Sequence, residues 1–388
     1  MEPISSEEVD RYRALFPATL EWVYLNHAGV CAPSVRVRSA AVEWFDDVTA
    51  NGLTDEEGWE SRAEEVRARF ARLIGASPSE VAFVRNTSHG LGLIAEGIDW
   101  RPGDRVAVCL DEEYPSNIYP WRHLAGRGVE VVTIPASGGG VDAARVSRVL
   151  DSARPRLFAV SSAQYASGAV ADLAGLGAAC RERDVLFCVD AIQTLGALPL
   201  DVKAAGIHFL SADSHKWLLG VSGIGGMFVD AAVLSAIRPV LVGWKSTTGA
   251  WDFDQARFEL QEDALKFEEG SPAYAMIYGF GAALELLLEV GVDRIAARIR
   301  GLVDRLGNGL EALGCEVGPP PGVRAHILTF VPPDGDAAGL HAALAAERIV
   351  VSLRRGRIRV SPHFITTEAE IDRVIARVTA QIGRDRLV

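Results

Sequence analysis

Seven short apolar segments, rich in β-branched and aromatic residues, constrain the fold of this 388-residue chain more than any other feature. They are almost continuously apolar, as strands buried on both faces of a sheet are. Segments with a helical pattern and polar ends, such as residues 172–184, alternate with them. This alternation predicts an α/β fold with a mostly parallel seven-stranded sheet between helices. The predicted strands span 80–84, 105–110, 129–134, 156–162, 186–191, 207–213 and 225–230.

The pattern changes after residue 270, where long helical segments cover residues 273–314. Two β-rich stretches (323–332 and 347–362) and an amphipathic helix over 367–382 follow. The chain length also favours two domains. We therefore predict a large domain over residues 20–265 and a smaller α+β domain formed by residues 1–19 and 266–388, including the connecting helix.

Composition narrows the classes of function. A net charge of −12 argues against a nucleic-acid-binding surface, although a local basic pocket for an anionic small molecule remains compatible with it. No run reaches the roughly 18–20 apolar residues of a membrane helix, and the acidic N-terminal segment lacks the apolar core of a signal peptide. Five scattered cysteines without a CxxC pair fit a reducing compartment and provide no metal site. We expect a cytoplasmic protein without metal, membrane or nucleic-acid partners.

Polar side chains follow five of the predicted strands. Because the carboxyl ends of parallel strands meet at one edge of a sheet, where such sheets bind ligands, we expect these residues to share one crevice. They are Asn86, Thr87, Ser88, His89, Glu113, Tyr114, Ser116, Asn117, Gln164, Tyr165, Asp190, Gln193, Asp213, Ser214, His215 and Lys216.

Asp190 and Lys216 end two consecutive predicted strands. A carboxylate at the end of so apolar a strand needs a cationic or hydrogen-bonding partner, although capping the next helix would also explain Asp190. A desolvated lysine loses its proton readily and becomes a nucleophile toward carbonyls. An acid for a ring nitrogen, one strand from such a lysine, is the arrangement that a pyridoxal phosphate enzyme needs.

The segment "NTSHGLGLIA" (86–95) predicts a helix N-terminus with two hydroxyls, which suits a phosphate. Helix capping alone would use the same residues. Gly90 to Ala95 also matches the GxGxxA fingerprint of dinucleotide-binding folds, with Asp111 near the position of the ribose-binding acid. We favour the phosphate site, because three polar residues precede Gly90 and a dehydrogenase would leave Lys216 unexplained.

"VDAIQTLGALPLDV" (189–202) followed by "SADSHKWLLGVSGIG" (211–225) resembles the class V aminotransferase family of fold-type I pyridoxal phosphate enzymes. The resemblance extends from "YLNHAG" (24–29) to "IRVSPHFITTEAEID" (358–372). The family includes cysteine desulfurases, selenocysteine lyases, kynureninases and isopenicillin N epimerase-like proteins. The resemblance implies a homodimer with shared active sites that binds pyridoxal 5'-phosphate and acts at Cα of an amino acid or amine.

The resemblance also implies a role for individual residues. Lys216 would hold the cofactor covalently, Asp190 would pair with its ring nitrogen, and Tyr114 would stack on the ring. The other implied cofactor ligands are Thr87, Ser88, Gln164, Gln193, Asp213, His215 and, across a dimer interface, Ser271. Asp213 stands where desulfurases usually have a serine. Arg359 would bind the substrate carboxylate, with Asn26 and His27 beside it.

A cysteine is missing where desulfurases carry their catalytic one, since "AAERIVVSLRRGRIRVS" (345–361) has none. We therefore predict an aminotransferase rather than a persulfide-forming desulfurase. The alternatives are a carbon–sulfur β-lyase that needs no cysteine, an epimerase, and a non-catalytic cofactor-binding regulator. Cys31 is predicted to be a small packed residue, with a relocated nucleophile as the alternative. Arg354, Arg355 and Arg357 fit a solvated basic turn.

Overall fold

The computed structural model describes residues 2–252 and 258–385, with side chains up to residue 382. Its strands are β1 Val23–Tyr24, β2 Val81–Val84, β3 Arg105–Val108, β4 Glu130–Thr133, β5 Leu157–Ser161, β6 Leu186–Asp190, β7 Phe209–Asp213, β8 Gly225–Val229, β9 Glu316–Gly318, β10 Leu328–Val331, β11 Ile349–Val350, β12 Ser352–Arg354 and β13 Arg357–Val360.

Its α-helices are α1 Ser6–Arg13, α2 Ala18–Glu21, α3 Val35–Asn51, α4 Glu56–Ile74, α5 Thr87–Gly97, α6 Tyr119–His123, α7 Ala143–Ala153, α8 Leu173–Arg181, α9 Tyr274–Val290, α10 Val292–Ala312, α11 Ala337–Ala346 and α12 Glu368–Asp385.

The predicted large sheet is confirmed, because all seven predicted segments form it in the order β2-β8-β7-β6-β5-β3-β4. The strands are parallel except β8, which pairs antiparallel with both β7 and β2. Neighbouring residues within a strand face opposite apolar cores: Phe158 and Phe187 lie in one, Leu157 and Cys188 in the other. Burial on both faces is the physical reason that these strands are continuously apolar in the sequence.

Helix α5 follows β2 and packs against the sheet through Gly90. A Cβ atom at Gly90 would lie 2.3 Å from Oγ of Ser211 in β7, so only glycine allows the helix to approach this closely. Gly90 lies within the helix rather than on the turn before it. Its packing role accounts for the glycine, and the dinucleotide-binding alternative is therefore not supported.

The predicted helical segment 273–314 forms α9 and α10, which are separated at Gly291 with φ of +88°. Helix α9 is buried on most sides, mainly against α3 and α4. In the described ranges no single helix has both the length and the apolar character to cross a membrane. The α9–α10 pair reaches that threshold only jointly, with a bend of 78°.

A four-stranded sheet, β12-β13-β10-β9, forms the core of the C-terminal part. Strand β1 pairs in parallel with β11, and Asn26 forms a further bridge with Ser361. The segment after residue 20, which we predicted to belong to the large domain, thus pairs with strands of the C-terminal part. The exact boundary between the two domains stays a prediction.

Candidate active site

The carboxyl ends of the parallel strands and the β12–β13 hairpin together line an open cleft. Its volume of about 330 Å³ lies at the lower end of the roughly 300–1,000 Å³ of small-molecule sites. Most of the predicted site residues meet here, whereas Gln164, Ser271, Asn26 and His27 are not among those that line it. The lining residues are Ala28, Gly29, Val30, Asn86, Thr87, Ser88, Tyr114, Ser116, Tyr165, Asp190, Ile192, Gln193, Asp213, His215, Lys216, Arg354 and Arg359.

Lys216 differs from the other three lysines of the sequence. Two of those form ion pairs with carboxylates and the third donates to a backbone carbonyl (Lys203, Lys245 and Lys266). Within the described ranges, Lys216 has no carboxylate oxygen within 4 Å, and its Nζ lies 5.7 Å from the Tyr114 ring centroid. Desolvation lowers the pKa of Lys216 to about 8, although Asp190 opposes this shift. The amine is therefore partly neutral near physiological pH.

Asp190 is the last residue of β6 and is 2% exposed. Its Oδ1 accepts a hydrogen bond from the backbone N–H of Ile192 at 3.0 Å, so it also serves as the local cap. Burial raises the pKa of Asp190 to about 7, and the nearby charge of Glu113 adds to this shift. A carboxyl group with this pKa exchanges a proton readily with a ring nitrogen.

The loop that carries Lys216 is fixed against the segment that follows Asp190. Gly196 has φ of +95°, and a Cβ atom there would lie 2.2 Å from the carbonyl oxygen of Trp217. Trp217 Nε1 donates to Gln193 Oε1 at 3.1 Å, and Gln193 Nε2 donates to the carbonyl of Ala28 at 3.2 Å. Both ends of the Gln193 amide are thus engaged in holding the Lys216 loop in place.

The N-terminus of α5 faces the cleft with its free backbone N–H groups. Asn86 caps the helix by accepting from His89 N at 2.9 Å. Thr87 Oγ1 accepts from Asp213 N at 3.0 Å, and Ser88 Oγ lies 2.6 Å from Ser116 Oγ. The positive end of the helix dipole and the Ser88 hydroxyl make this corner suitable for a phosphate.

Asp213 is buried beside this corner, which is an unfavourable place for an isolated carboxylate. Its Oδ1 lies 2.9 Å from Nδ1 of His215. The carboxylate is therefore within ion-pair distance of the His215 ring. This pairing gives Asp213 a role that needs no direct contact with a phosphate.

Arg359 is 2% exposed and is held only by neutral acceptors. It donates to Ser352 Oγ at 3.2 Å, to the Tyr165 carbonyl, and to Asn26 Oδ1 at 3.4 Å. It has no carboxylate partner within the part of the chain that the structure describes. Burial lowers the pKa of Arg359 to about 10, with the charge of Arg354 adding to the effect. A buried guanidinium without an anion is a site for a ligand carboxylate.

Three of the predicted residues outside the cleft have other surroundings. Asn26 contacts Arg359, as described above. The His27 ring packs against Trp217 and His363, with centroid distances of 6.2 and 5.2 Å, so the structure does not bring it to the cleft. Ser271 lines a second cleft with Arg85 and His89. The predicted contact of His27 with a substrate is therefore without geometric support.

Gln164 is buried next to Tyr165 in the chain and depends on Glu113, a strand-end residue without a predicted role. Gln164 Nε2 donates to Glu113 at 3.0 Å, and its Oε1 is buried without a hydrogen-bond partner in the part of the chain that the structure describes. Glu113 also accepts from Ser161 N at 2.7 Å and from Asn117 Nδ2 at 2.9 Å. Its signal in the sequence was a carboxylate next to an aromatic residue at a strand end. Glu113 fixes the orientation of the Gln164 amide.

Cys31 is buried and its thiol donates to the carbonyl of Gly220 at 3.2 Å. Burial raises the pKa of Cys31 to about 12, so the thiol stays protonated at neutral pH. The other four cysteines are also buried. The β12–β13 turn consists of Arg355 and Gly356, so it contributes no thiol. This placement supports the prediction that Cys31 is a packed residue rather than a nucleophile.

The donor set of the cleft fits pyridoxal phosphate. The α5 N-terminus suits its phosphate, Asp190 suits its ring nitrogen, and the amine of Lys216 suits its aldehyde carbon. The half-exposed Tyr114 ring provides an aromatic wall and lies edge-on to Tyr165 at 5.1 Å. All of these groups line one cleft.

Comparison with known proteins agrees with this geometry. A probable cysteine desulfurase of Methanothermobacter thermautotrophicus is 28% identical over 378 residues, which cover 92% of this chain and 93% of the relative. The uncharacterized aminotransferase YcbU of Bacillus subtilis is also 28% identical, covering 96% of this chain and 98% of that protein.

Two solved structures of C-DES share the fold at 25% identity, each covering 94% of this chain and 98% of the other. One, a mutant with glycine covalently linked to the PLP cofactor, has a TM-score of 0.88. The other, the cystine C–S lyase in complex with its product cysteine persulfide, has a TM-score of 0.87. The sequence pattern of the family described as Aminotransferase class-V matches residues 23–375. With a match over nearly its whole length, this chain belongs to the class V aminotransferase family of pyridoxal phosphate enzymes.

Proposed function

We propose that this protein is a pyridoxal phosphate-dependent carbon–sulfur β-lyase that acts on an amino acid without a cysteine nucleophile. One observation carries the proposal. The cleft combines Lys216, Asp190 and Arg359, which has no carboxylate partner among the described residues, while its hairpin contributes Arg354 and no cysteine. The desulfurase and C–S lyase names of the relatives support carbon–sulfur chemistry, and the buried cysteines argue against a persulfide on the enzyme.

The residues divide the work of binding. The N–H groups of α5 and the Ser88 hydroxyl would hold the phosphate, and Asp190 would pair with the ring nitrogen. Arg359 would bind the substrate carboxylate with two parallel hydrogen bonds, which fixes the orientation of Cα. When bound, pyridoxal phosphate supplies the electron sink that stabilises negative charge at Cα.

Lys216 would move the proton at Cα. Its pKa of about 8 lets the amine act as a base near neutral pH and return the proton afterwards. In β-elimination the Cα–H and Cβ–S bonds break, and the thiol leaves with a proton. Water then releases pyruvate and ammonia, so that R–S–CH₂–CH(NH₃⁺)–COO⁻ and H₂O give RSH, pyruvate and NH₄⁺.

Transamination, predicted first from the sequence, is the second candidate. The Bacillus subtilis relative named an uncharacterized aminotransferase favours it, because that similarity covers almost the whole of both chains. Transamination needs only the proton transfer by Lys216 and a second keto acid as acceptor. Epimerisation would use the same base and would return the substrate with inverted configuration.

Product analysis separates these reactions. The cofactor-loaded protein is incubated with cystine, S-substituted cysteines, alanine and glutamate, with and without a keto acid acceptor. A β-lyase releases pyruvate together with thiol or persulfide, and the acceptor has no effect. A transaminase produces the keto acid of the intact substrate skeleton only when the acceptor is present. Alanine with a persulfide on Cys31 would overturn the proposal.

We also propose a homodimer whose active sites are shared. Ser271 lines a cleft with Arg85 and His89, which flank in sequence the α5 residues that line the Lys216 cleft. The preceding segment exposes large apolar side chains, among them Trp251 (47%) and Phe258 (75%), which a partner would cover. Sedimentation at assay concentration should show a dimer. A fully active monomer would contradict shared sites.

A further inference from the structure

The β12–β13 hairpin carries four arginines that differ in their partners. Arg355 pairs with Glu112 at 3.3 Å, and Arg357 pairs with Glu316 at 2.6 Å. Arg354 and Arg359 have no carboxylate partner among the described residues. These two unpaired arginines are also the two that line the Lys216 cleft.

The register of the hairpin places Arg354 and Arg359 close together on one face. Arg354 lies opposite Arg357, and Ser352 lies opposite Arg359. Residues directly opposite share a face, as do alternate residues of one strand, so Arg354, Arg357 and Arg359 project from the same face. Arg357 is engaged there by Glu316. Arg354 and Arg359 are diagonal neighbours, and residues in such pairs are roughly 7–8 Å apart. Arg355 lies in the turn and is directed to Glu112 instead.

Arg354 is a cationic side chain of the cleft lining to which no anionic partner has been assigned. Lys216, Arg354 and Arg359 are the lysine and arginine side chains among the residues that line the cleft, against two carboxylates, Asp190 and Asp213. Asp213 is already paired with His215. Arg354 is exposed, and within the described ranges its guanidinium donates only to the adjacent carbonyl of Leu353 at 2.9 Å. Once Arg359 binds the α-carboxylate of a substrate, the guanidinium of Arg354 is still free to bind a second anion.

We infer that Arg354 is a second anion site, and that the substrate is an α-amino acid whose side chain carries a second carboxylate. The α-amino acid in this inference rests on the proposed function. The two-arginine site is argued from the hairpin geometry alone. The α-carboxylate binds the buried Arg359, and the distal carboxylate binds the exposed Arg354 at the mouth of the cleft. In a lyase, the distal carboxylate belongs to the group attached to sulfur.

Equilibrium binding tests the site without turnover. Calorimetry on the cofactor-loaded protein at low salt compares succinate, glutarate and adipate with butyrate, valerate and hexanoate. We expect at least one dicarboxylate to bind roughly tenfold or more tightly than the monocarboxylate of equal length, since a charge-assisted hydrogen bond is added. Equal binding in all three pairs would overturn the inference.

Matched variants locate the preference. Arg354→Gln should remove it while changing monocarboxylate binding less than about twofold, and Arg354→Lys should retain part of it. Arg355→Gln, the neighbouring arginine outside the cleft, should leave the preference unchanged. A preference that survives Arg354→Gln, or is lost in Arg355→Gln, would overturn the assignment.

A protein that binds no cofactor but prefers dicarboxylates would refute the proposed function and support the site. A holoprotein without the preference would refute the site alone.

Discussion

Lys216 and Asp190 lie at one end of the sheet with pKa values that desolvation has moved toward each other. The pKa of Lys216 falls from 10.5 to about 8, and that of Asp190 rises from 3.8 to about 7. Groups with such values gain and lose protons near neutral pH at little cost in free energy. The burial that makes this pair costly to fold is thus the source of its reactivity.

Asp190→Asn tests whether the Asp190 carboxylate has a chemical role. We expect kcat to fall by about two orders of magnitude or more with little change in Tm, since asparagine can still accept from Ile192 N. Asp172→Asn is the control, because Asp172 caps α8 on the surface and accepts from Gly175 N at 3.0 Å. A wild-type kcat in Asp190→Asn would mean that Asp190 is only a cap.

Residue types at strand ends were sufficient to identify most of the cleft from the sequence. The direction in which each side chain points could not be predicted from its position at a strand end. Gln193 lines the cleft, yet its amide binds Trp217 and Ala28, and His27 turns into the core. These orientations depend on tertiary contacts between segments far apart in the chain, for which a local pattern carries no signal.

At the scale of elements, the loops after β6 and β7 are packed backbone against backbone. Gly196 meets the Trp217 carbonyl with a positive φ that residues with a Cβ atom avoid. This contact fixes the distance between the Asp190 segment and the Lys216 segment. Strain introduced here should therefore affect both stability and cofactor binding.

Gly196→Ala should lower the free energy of unfolding by about 2 kcal/mol or more, because the new Cβ adds backbone strain and a clash. Gly301→Ala is the matched control, since Gly301 lies in α10 with nothing within 4 Å of a new Cβ atom. That change should stabilise the protein by about 0.5–1 kcal/mol through helix propensity. Urea unfolding of both variants measures the difference. Equal stabilities would refute the packing argument.

The strands themselves were predictable because burial on both faces leaves a continuous apolar run. The reversed direction of β8 was not, since an apolar run carries no information about strand direction. The pairing of β1 with β11 was also missed, because both strands are two residues long and lie more than 300 positions apart. That pairing matters for the cleft, since the adjacent Asn26 contacts Arg359.

Across the whole molecule, three buried histidines join the Lys216 loop to the C-terminal part. His27, His326 and His363 surround Trp217, with ring centroids 4.6 to 6.2 Å from it. Burial lowers the pKa of His27 and of His326 from 6.5 to about 4, and that of His363 well below 6.5. The folded protein therefore keeps all three neutral at pH values where the unfolded chain takes up protons.

Stability should consequently fall as the pH drops from about 6.5 toward 4, because the unfolded state binds more protons in this window. At pH 5, His27 and His326 should each cost about 2 kcal/mol relative to pH 7.5. Urea unfolding at pH 7.5, 6 and 5 measures this loss. A free energy of unfolding that is constant from pH 7.5 to 5 would contradict neutral burial.

Borohydride reduction of the protein with pyridoxal phosphate tests the central claim most directly, because it fixes the cofactor to the lysine that holds it. The chain has four lysines, and peptide mass spectrometry distinguishes them. We expect one labelled peptide, containing Lys216, with unchanged labelling in Lys203→Ala. Lys216→Ala should bind the cofactor without covalent labelling and lose turnover. Labelling of another lysine instead, or a protein that takes up no cofactor, would contradict the account.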